Sequence, residues 1–206
     1  AVEIISSTAF GNAQICLVAD GCGSGSHSEV GAQIGVRLLA EAIKRQLIRW
    51  NRTEDSSRLQ FLKILERARQ DVLARLRILA QDMGGSFSQT VNDYFLFTIV
   101  GAILTEEFSC FFSRADGLIV INEEEHWIVP DEGNAQVYLA DALVESSLTD
   151  HRPEALKFDI LQVVALESKD GRYDTLFLSN YASLNIADEL KRLKGVGDVT
   201  IFGAQD

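Results

Sequence analysis

The chain has few prolines, few cysteines and no long apolar run. Its 206 residues include only 2 prolines, and 47% of them are hydrophobic, a composition that excludes a disordered polar chain and is ample for a folded core. No apolar run approaches the roughly 18 residues that a membrane-spanning helix needs. The first residues, AVEI, lack the basic-then-apolar pattern of a secretory signal, so we expect no such segment.

Positive charge is scarce as well. The sequence has 19 Lys and Arg against 30 Asp and Glu, a formal net charge of −11. Nucleic acids and anionic membranes require a basic face, so we expect neither as a partner. Cys16, Cys22 and Cys110 form no C-x-x-C pair. This gives no zinc motif and favours free thiols in a reducing compartment, so we expect a cytoplasmic protein.

The most informative segment joins an apolar run to a glycine-rich turn. Residues 15–19 are all apolar and predict a buried strand, after which come Asp20 and the alternating glycines Gly21, Gly23 and Gly25. A carboxylate at the end of such a strand, beside glycines that permit close approach, is suited to holding a hard cation or a phosphate. A plain strand-to-helix turn explains the same residues equally well.

Apolar periodicity predicts the remaining elements of the main body. A helix is expected from Ser26 or Ser28 to Trp50, and a second from about Ser57 to Met83. Short apolar runs then predict a meander of antiparallel strands. These runs are 94–104, 108–112, 118–121, 127–129 and 137–139. The pattern indicates an α+β fold, with antiparallel β-sheet and two long helices packed on one face.

The end of the chain has a different pattern, roughly β-x-α-β. An apolar run covers 160–165, and 173–178 is interpreted as a short strand or connector. A helix is predicted over 187–193, with acids early and bases late as the helix dipole prefers, and a strand over 199–202. We therefore divide the chain into a domain at 1–162 and a segment at 163–206.

Residues 15 to about 162 resemble the PPM family, the metal-dependent protein serine/threonine phosphatases of type 2C. VADGCGSG at 18–25 stands where that family carries V-A-D-G-x-G-G. FLFTIVGAIL at 95–104 resembles a family strand, and FFSRADGL at 111–118 resembles a strand and turn that usually reads G-D-S-R or G-D-G. The resemblance implies a partial PPM phosphatase-like β-sandwich, shortened at its N-terminus.

The same resemblance implies a reaction and its residues. Two Mn²⁺ or Mg²⁺ ions would activate a water for attack on the phosphoserine or phosphothreonine of a phosphoprotein substrate. Asp20 would be the catalytic carboxylate that bridges both ions, and Gly21 would offer its carbonyl. Asp116 would belong to an accessory metal site. Separately from the resemblance, His27 is a candidate for contacting phosphate. A hairpin-turn acid and a surface histidine are the plain alternatives for these last two.

Residues 162–206 resemble a periplasmic porter segment of RND efflux transporters. The resemblance covers DGRYDTLFLSNYA at 170–182 and DELKRLKGVGDVTIFG at 188–203, and it implies a β-α-β unit without catalytic residues. Asp170 and Asp198 also stand in short sequences like those of the phosphatase family's later metal ligands. They are therefore either metal ligands or surface acids of a porter-like segment.

Charge arithmetic predicts that the metal centre is incomplete. Two dications about 4 Å apart repel by roughly 16 kcal/mol at an effective dielectric constant of about 20, so three or four acids must converge on them. Glu3 is the only acid before Asp20. We therefore expect a phosphatase-like protein with weak or absent activity. A non-catalytic binding or scaffold domain and a chimeric chain, joined near residues 161–164, are the alternatives.

Overall fold

The computed structural model describes part of the chain. The described residues are 2–8, 11–49, 59–105, 109–121, 124–128, 137–144, 159–163, 166, 168, 170–192, 199 and 201. They fall into two units, residues 1–163 and 164–206, each of which is described by itself below. Asp198 lies outside the described residues.

The first unit contains seven strands and four helices within the described residues. The strands are β1 (Val2–Thr8), β2 (Gly11–Gly21), β3 (Phe97–Thr105), β4 (Ser109–Arg114), β5 (Gly117–Ile121), β6 (Glu124–Ile128) and β7 (Asp159–Val163). The helices are α1 (Ser28–Arg49), α2 (Leu59–Asp82), α3 (Phe87–Tyr94) and α4 (Asp141–Val144). One sheet has the order β1-β2-β3-β4-β7 with antiparallel pairs, and β5 and β6 form a separate two-stranded sheet. The predicted α+β class is confirmed.

Side-chain alternation along β2 gives the large sheet two different faces. Ala13, Ile15 and Leu17 are buried, whereas Val18 is 70% exposed and Asp20 is exposed as well. Successive side chains of a strand point to opposite faces, so the odd-numbered residues lie toward the core and the even-numbered ones lie on the outer face. Asp20 is therefore on the sheet face opposite the core.

The two long predicted helices are confirmed and supply the other half of the core. The buried side chains of α1 include Leu39, Ile43 and Leu47, spaced by four residues. Those of α2 recur at the same spacing from Ile64 to Ala80. Not every apolar residue of these helices is buried: Val30 is 43% exposed. Leu62 and Leu79 are exposed as well, because the buried stripe of α2 runs one residue away from each.

The structure corrects three expectations in this unit. β1 occupies a segment for which no strand is predicted. α3 occupies residues for which no helix was predicted. Residues 137–139, interpreted as a strand, instead lead through a turn into α4. This run is apolar because it packs in the core, where Leu139 is buried with an exposed fraction of 1%.

The small sheet packs on the outer face of the large one. A Cβ added at Gly117, the first residue of β5, would lie 2.3 Å from Cγ2 of Val100 in β3. Val100 belongs to the outer face, since Ile99 and Gly101 on either side of it are buried toward the core. The absence of a side chain at Gly117 thus lets the backbone of the hairpin reach the sheet.

The second unit contains a continuous helical segment. α5 (Thr175–Tyr181) passes through a π-helical turn (Ala182–Ile186) into α6 (Ala187–Lys191). The interpretation of 173–178 as a strand or connector is wrong, because the Asp174 side chain accepts a hydrogen bond from Phe177 N at 2.8 Å and begins a helix. No described helix of either unit is long and apolar enough to cross a membrane.

Candidate functional site

The glycine-rich turn between β2 and α1 is attached to the end of α3 and to the residues that join α3 to β3. Cys22 N donates a hydrogen bond to Leu96 O at 2.9 Å, and His27 N donates to Asp93 O at 2.9 Å. These two bonds anchor both ends of the turn to one neighbouring segment. The backbone after Asp20 is therefore held at both ends by main-chain hydrogen bonds.

Within the turn, the start of α1 lies directly against the end of β2. Ser28 Oγ donates to Cys22 O at 2.6 Å, and Gly25 N donates to the same oxygen at 3.0 Å. A Cβ on Gly21 would lie 2.6 Å from the carbonyl carbon of Ser28 and 2.7 Å from Glu29 N. Gly21 is thus required for close packing of helix on strand, a reason that holds whether or not its carbonyl also binds a cation.

Asp20 occupies the outer face at the end of the large sheet. Its Cα partner across the ladder is Thr98, and its side chain is exposed. Ile99, the next residue of β3, pairs with Arg114 at the end of β4. The turn after β4 therefore lies at the same end of the sheet as Asp20, and this turn carries Asp116.

Asp116 is near Tyr138 and the glycine-rich turn. Burial raises the pKa of Tyr138, and the hydrogen bond to Cys22 together with the negative charges of Cys22, Asp116 and Asp141 raises it further. Oδ1 of Asp116 is buried and has no hydrogen-bond partner among the described residues. The preceding residue, Ala115, has φ 68°, a conformation that costs a residue with a side chain about 1–2 kcal/mol.

Cys22 and Tyr138 form a contact that the sequence analysis missed. Burial raises the pKa of Cys22, but hydrogen bonds from the side chains of Ser24 and Tyr138 and from the backbone at Ser24 and Gly25 outweigh it, so the pKa is lowered from 9.0. Cys22 Sγ lies 3.0 Å from Ser24 Oγ. No spacing rule links residues 22 and 138, so only the fold could bring them together.

We expect this contact to shift the reactivity of the Cys22 thiol. Iodoacetamide, followed by peptide mass spectrometry, should alkylate Cys22 of the folded chain at a lower pH than in urea, because the thiolate is the nucleophile. Tyr138→Phe should raise the midpoint of that pH profile, and Tyr181→Phe in the second unit should leave it unchanged. Since the folded pKa is the lower one, the thiolate's stabilisation of the fold is fully present above 9.0 and is lost as the pH falls through the folded value. Coincident profiles for the folded and unfolded chains would contradict the assignment.

The candidate phosphate ligand, His27, lies at the end of the same turn. Its side chain is exposed, and its ring packs against Tyr94 with the centroids 4.9 Å apart and an interplanar angle of 34°. The ring contact explains the position of His27 without a ligand, so its role in phosphate binding stays a prediction.

The candidate ligand Asp170 lies in an exposed turn of the second unit. Its Oδ1 accepts a hydrogen bond from Ser168 Oγ at 3.1 Å, and its Oδ2 lies 3.3 Å from Arg172 Nη2. The following residue, Gly171, has φ 64°, as a tight turn requires. These contacts are those of a surface turn.

The described residues of the first unit do not provide a complete two-ion centre. They contain no group of three or more His, Cys, Asp or Glu side chains that could hold a metal ion. Glu3, the one upstream acid, pairs with Ile15 in the β1–β2 ladder. This register places it five residues, or roughly 17 Å along the strand, from Asp20. The possibility that Glu3 completes the site is therefore wrong, and the described residues do not fit a pair of divalent ions.

A five-stranded antiparallel sheet and two long helices define an α+β domain, and an Asp-Gly stands at the end of β2. The family model for protein phosphatase 2C matches residues 5–160, and the chain belongs to this family. A second model, for the AcrB/AcrD/AcrF family, matches residues 134–206. The end of the chain is thus similar to those transporter proteins, and the two matches overlap.

Solved structures of bacterial phosphatases are also similar to this chain. A serine/threonine phosphatase from S. agalactiae has 14% identity, with 81% of this chain and 68% of that chain covered and a TM-score of 0.44. The catalytic domain of PstP, a serine threonine protein phosphatase in complex with 2 manganese ions, has 10% identity, with 81% and 72% covered and a TM-score of 0.38. Another bacterial serine phosphatase has 14% identity and a TM-score of 0.43. The match covers 79% of this chain and spans 65% of the length of that phosphatase.

Proposed function

We propose that this chain is a protein serine/threonine phosphatase-like protein with a reduced metal centre. One Mn²⁺ or Mg²⁺ ion would bind weakly at the Asp20 carboxylate and the Gly21 carbonyl, and hydrolysis of phosphoserine or phosphothreonine in a phosphoprotein would be slow. Membership of the protein phosphatase 2C family supports the class of reaction. Three cysteines within the described residues form no disulfide, which supports a reducing compartment such as the cytoplasm.

The proposal of a reduced metal centre rests on one observation. Asp20 is exposed on the outer face of the sheet, and no group of three ligating side chains exists within the described residues. A single carboxylate with one carbonyl leaves most of the coordination sphere of a hard cation to water, which permits weak binding of one ion but not of two.

Metal titration of the whole chain tests this proposal. We expect one Mn²⁺ site with a dissociation constant of roughly 10⁻⁴ M or weaker, measured by calorimetry and by electron paramagnetic resonance of free Mn²⁺. Hydrolysis of p-nitrophenyl phosphate should require Mn²⁺ and should stay slow. Two sites of micromolar affinity with fast turnover would contradict the reduced centre.

A second candidate function is a non-catalytic binding or scaffold domain. The missing ligand group within the described residues favours it, because a domain that only binds a partner needs no metal. The same titration separates the two functions. The absence of any Mn²⁺ binding, together with no hydrolysis at millimolar Mn²⁺, would overturn the phosphatase proposal in favour of the scaffold.

A further inference from the structure

The helical segment of the second unit exposes a row of aromatic side chains. Tyr173, Phe177 and Tyr181 follow one another at intervals of four residues, and their exposed fractions are 45%, 47% and 48%. The rings of Tyr173 and Phe177 stack with centroids 4.4 Å apart, and those of Phe177 and Tyr181 lie 6.3 Å apart. Large apolar side chains in such a row, open to solvent, are characteristic of an interaction surface.

Two leucines extend this row. Leu176 is 54% exposed and Leu184 is 79% exposed. Both lie three residues from a member of the aromatic row, a spacing that places them on neighbouring parts of the helix surface. We call the five residues Tyr173, Leu176, Phe177, Tyr181 and Leu184 the aromatic stripe. The stripe itself contains no charged side chain.

A different side of the same helical segment is already covered. Leu178, Ala182, Ile186 and Leu190 also recur at intervals of four, and all are buried or half-buried, with Ala182 at 9% exposure. The segment is therefore apolar on two sides, only one of which is packed. Because large apolar side chains exposed in one row mark an interaction surface, the aromatic stripe is expected to be covered by a further surface.

We propose that a second copy of this chain covers the aromatic stripe, with the two helices antiparallel about a two-fold axis. In this arrangement Phe177 of one copy faces Tyr181 of the other, and Tyr173 faces Leu184. Each contact then occurs twice, as closed two-fold symmetry requires. Phe177 and Tyr181 meet at the centre, where the strongest contacts of an interface usually lie, and Tyr173 and Leu184 lie toward the ends.

The exposed area of the stripe is sufficient for such a dimer. About half of five side chains of about 200 Å² each leaves roughly 500 Å² open on one copy. Two copies would then bury about 1,000 Å², the lower limit for a specific interface. A patch of this size is at the upper end of what a typical monomer exposes, which favours a covered surface over an open one.

Charge distinguishes a second copy from a membrane surface. Between residues 173 and 192 the charged residues are Asp174, Asp188, Glu189, Lys191 and Arg192, three acids against two bases. A helix that lies on an anionic bilayer has a polar face rich in Lys and Arg. The slight negative charge of this segment therefore favours a protein surface.

Sedimentation velocity of the whole chain over a concentration series tests the proposal. The wild type should show a reversible dimer, and Leu184→Glu should weaken dimerisation at least about tenfold, because a carboxylate would have to enter an apolar contact. Leu184 is 79% exposed, so its replacement leaves the fold of the monomer intact. Thr175→Glu is the matched control, since it adds the same charge at an exposed position of α5 that is not part of the stripe.

A second variant and a measurement of helix content separate a lost interface from a lost fold. Phe177→Ser should also weaken the dimer, and circular dichroism should show an unchanged helix content in every variant. A wild type that stays monomeric at all concentrations overturns the proposal, and so does a Leu184→Glu variant that dimerises like the wild type. Binding of a monomeric wild type to neutral phosphatidylcholine vesicles would identify lipid as the occupant instead.

Discussion

Gly31→Ala should lower the free energy of unfolding by at least about 3 kcal/mol. A Cβ at this position of α1 would lie 1.6 Å from the carbonyl oxygen of Tyr94 and 2.7 Å from its carbonyl carbon. Both atoms belong to the backbone at the end of α3, so no side-chain rotation can relieve the overlap. The helix must move away from the segment that holds the glycine-rich turn. The loss should exceed the gain of about 1 kcal/mol that alanine brings to a helix interior.

Urea unfolding and thermal melting, followed by circular dichroism, measure this effect. A loss of 3 kcal/mol corresponds to a fall in Tm of about 6–12 °C for a chain of this size. Gly23→Ala is the matched control, because a Cβ at Gly23 meets nothing within 4 Å. Its stability should change by no more than about 0.5 kcal/mol. A Gly31→Ala variant as stable as the wild type would show that α1 and α3 do not approach as the structure describes.

Asp20→Asn should weaken Mn²⁺ binding at least about tenfold, the second large effect. The substitution keeps the shape of the side chain but removes the negative charge that attracts a hard cation. Asp20 is exposed and stands at the end of β2, so loss of its charge should leave the melting temperature unchanged. The prediction rests on the proposed function, because it assumes that the ion binds at this carboxylate.

A titration of free Mn²⁺ by electron paramagnetic resonance resolves binding this weak. Asp82→Asn, an exposed acid at the end of α2, is the control with the same change of charge and should bind like the wild type. Asp116→Asn should have a smaller effect than Asp20→Asn if Asp116 belongs only to an accessory site. Equal Mn²⁺ affinity in Asp20→Asn and the wild type would remove Asp20 from the metal site.

The main elements could be predicted because their patterns are local. The apolar run before Asp20 predicted β2, and apolar spacing predicted α1 and α2, because strand and helix place side chains on a face with different periods. The interpretation of residues 173–178 is wrong because aromatic residues favour strands. The Asp174 side chain instead caps the N-terminus of a helix. β1 was missed because VEIISST lacks a sustained apolar run.

The candidate site was only partly predictable for the same reason. Asp20 and Gly21 could be identified because they are adjacent in sequence and follow a buried strand. The contact between Cys22 and Tyr138 joins residues more than a hundred positions apart, and no local pattern contains it. The buried Oδ1 of Asp116 likewise depends on how β4, β5 and the glycine-rich turn meet.

The sequence by itself determined that a carboxylate and a glycine-rich turn follow a buried strand and precede a long helix. It also determined that the pattern of apolar residues changes near residue 163, since composition and periodicity are properties of neighbouring residues. Only the tertiary structure decided which acids could join Asp20. The register of β1 against β2 sets Glu3 opposite Ile15. Distance across a sheet depends on strand pairing, a relation between remote segments that no local pattern contains.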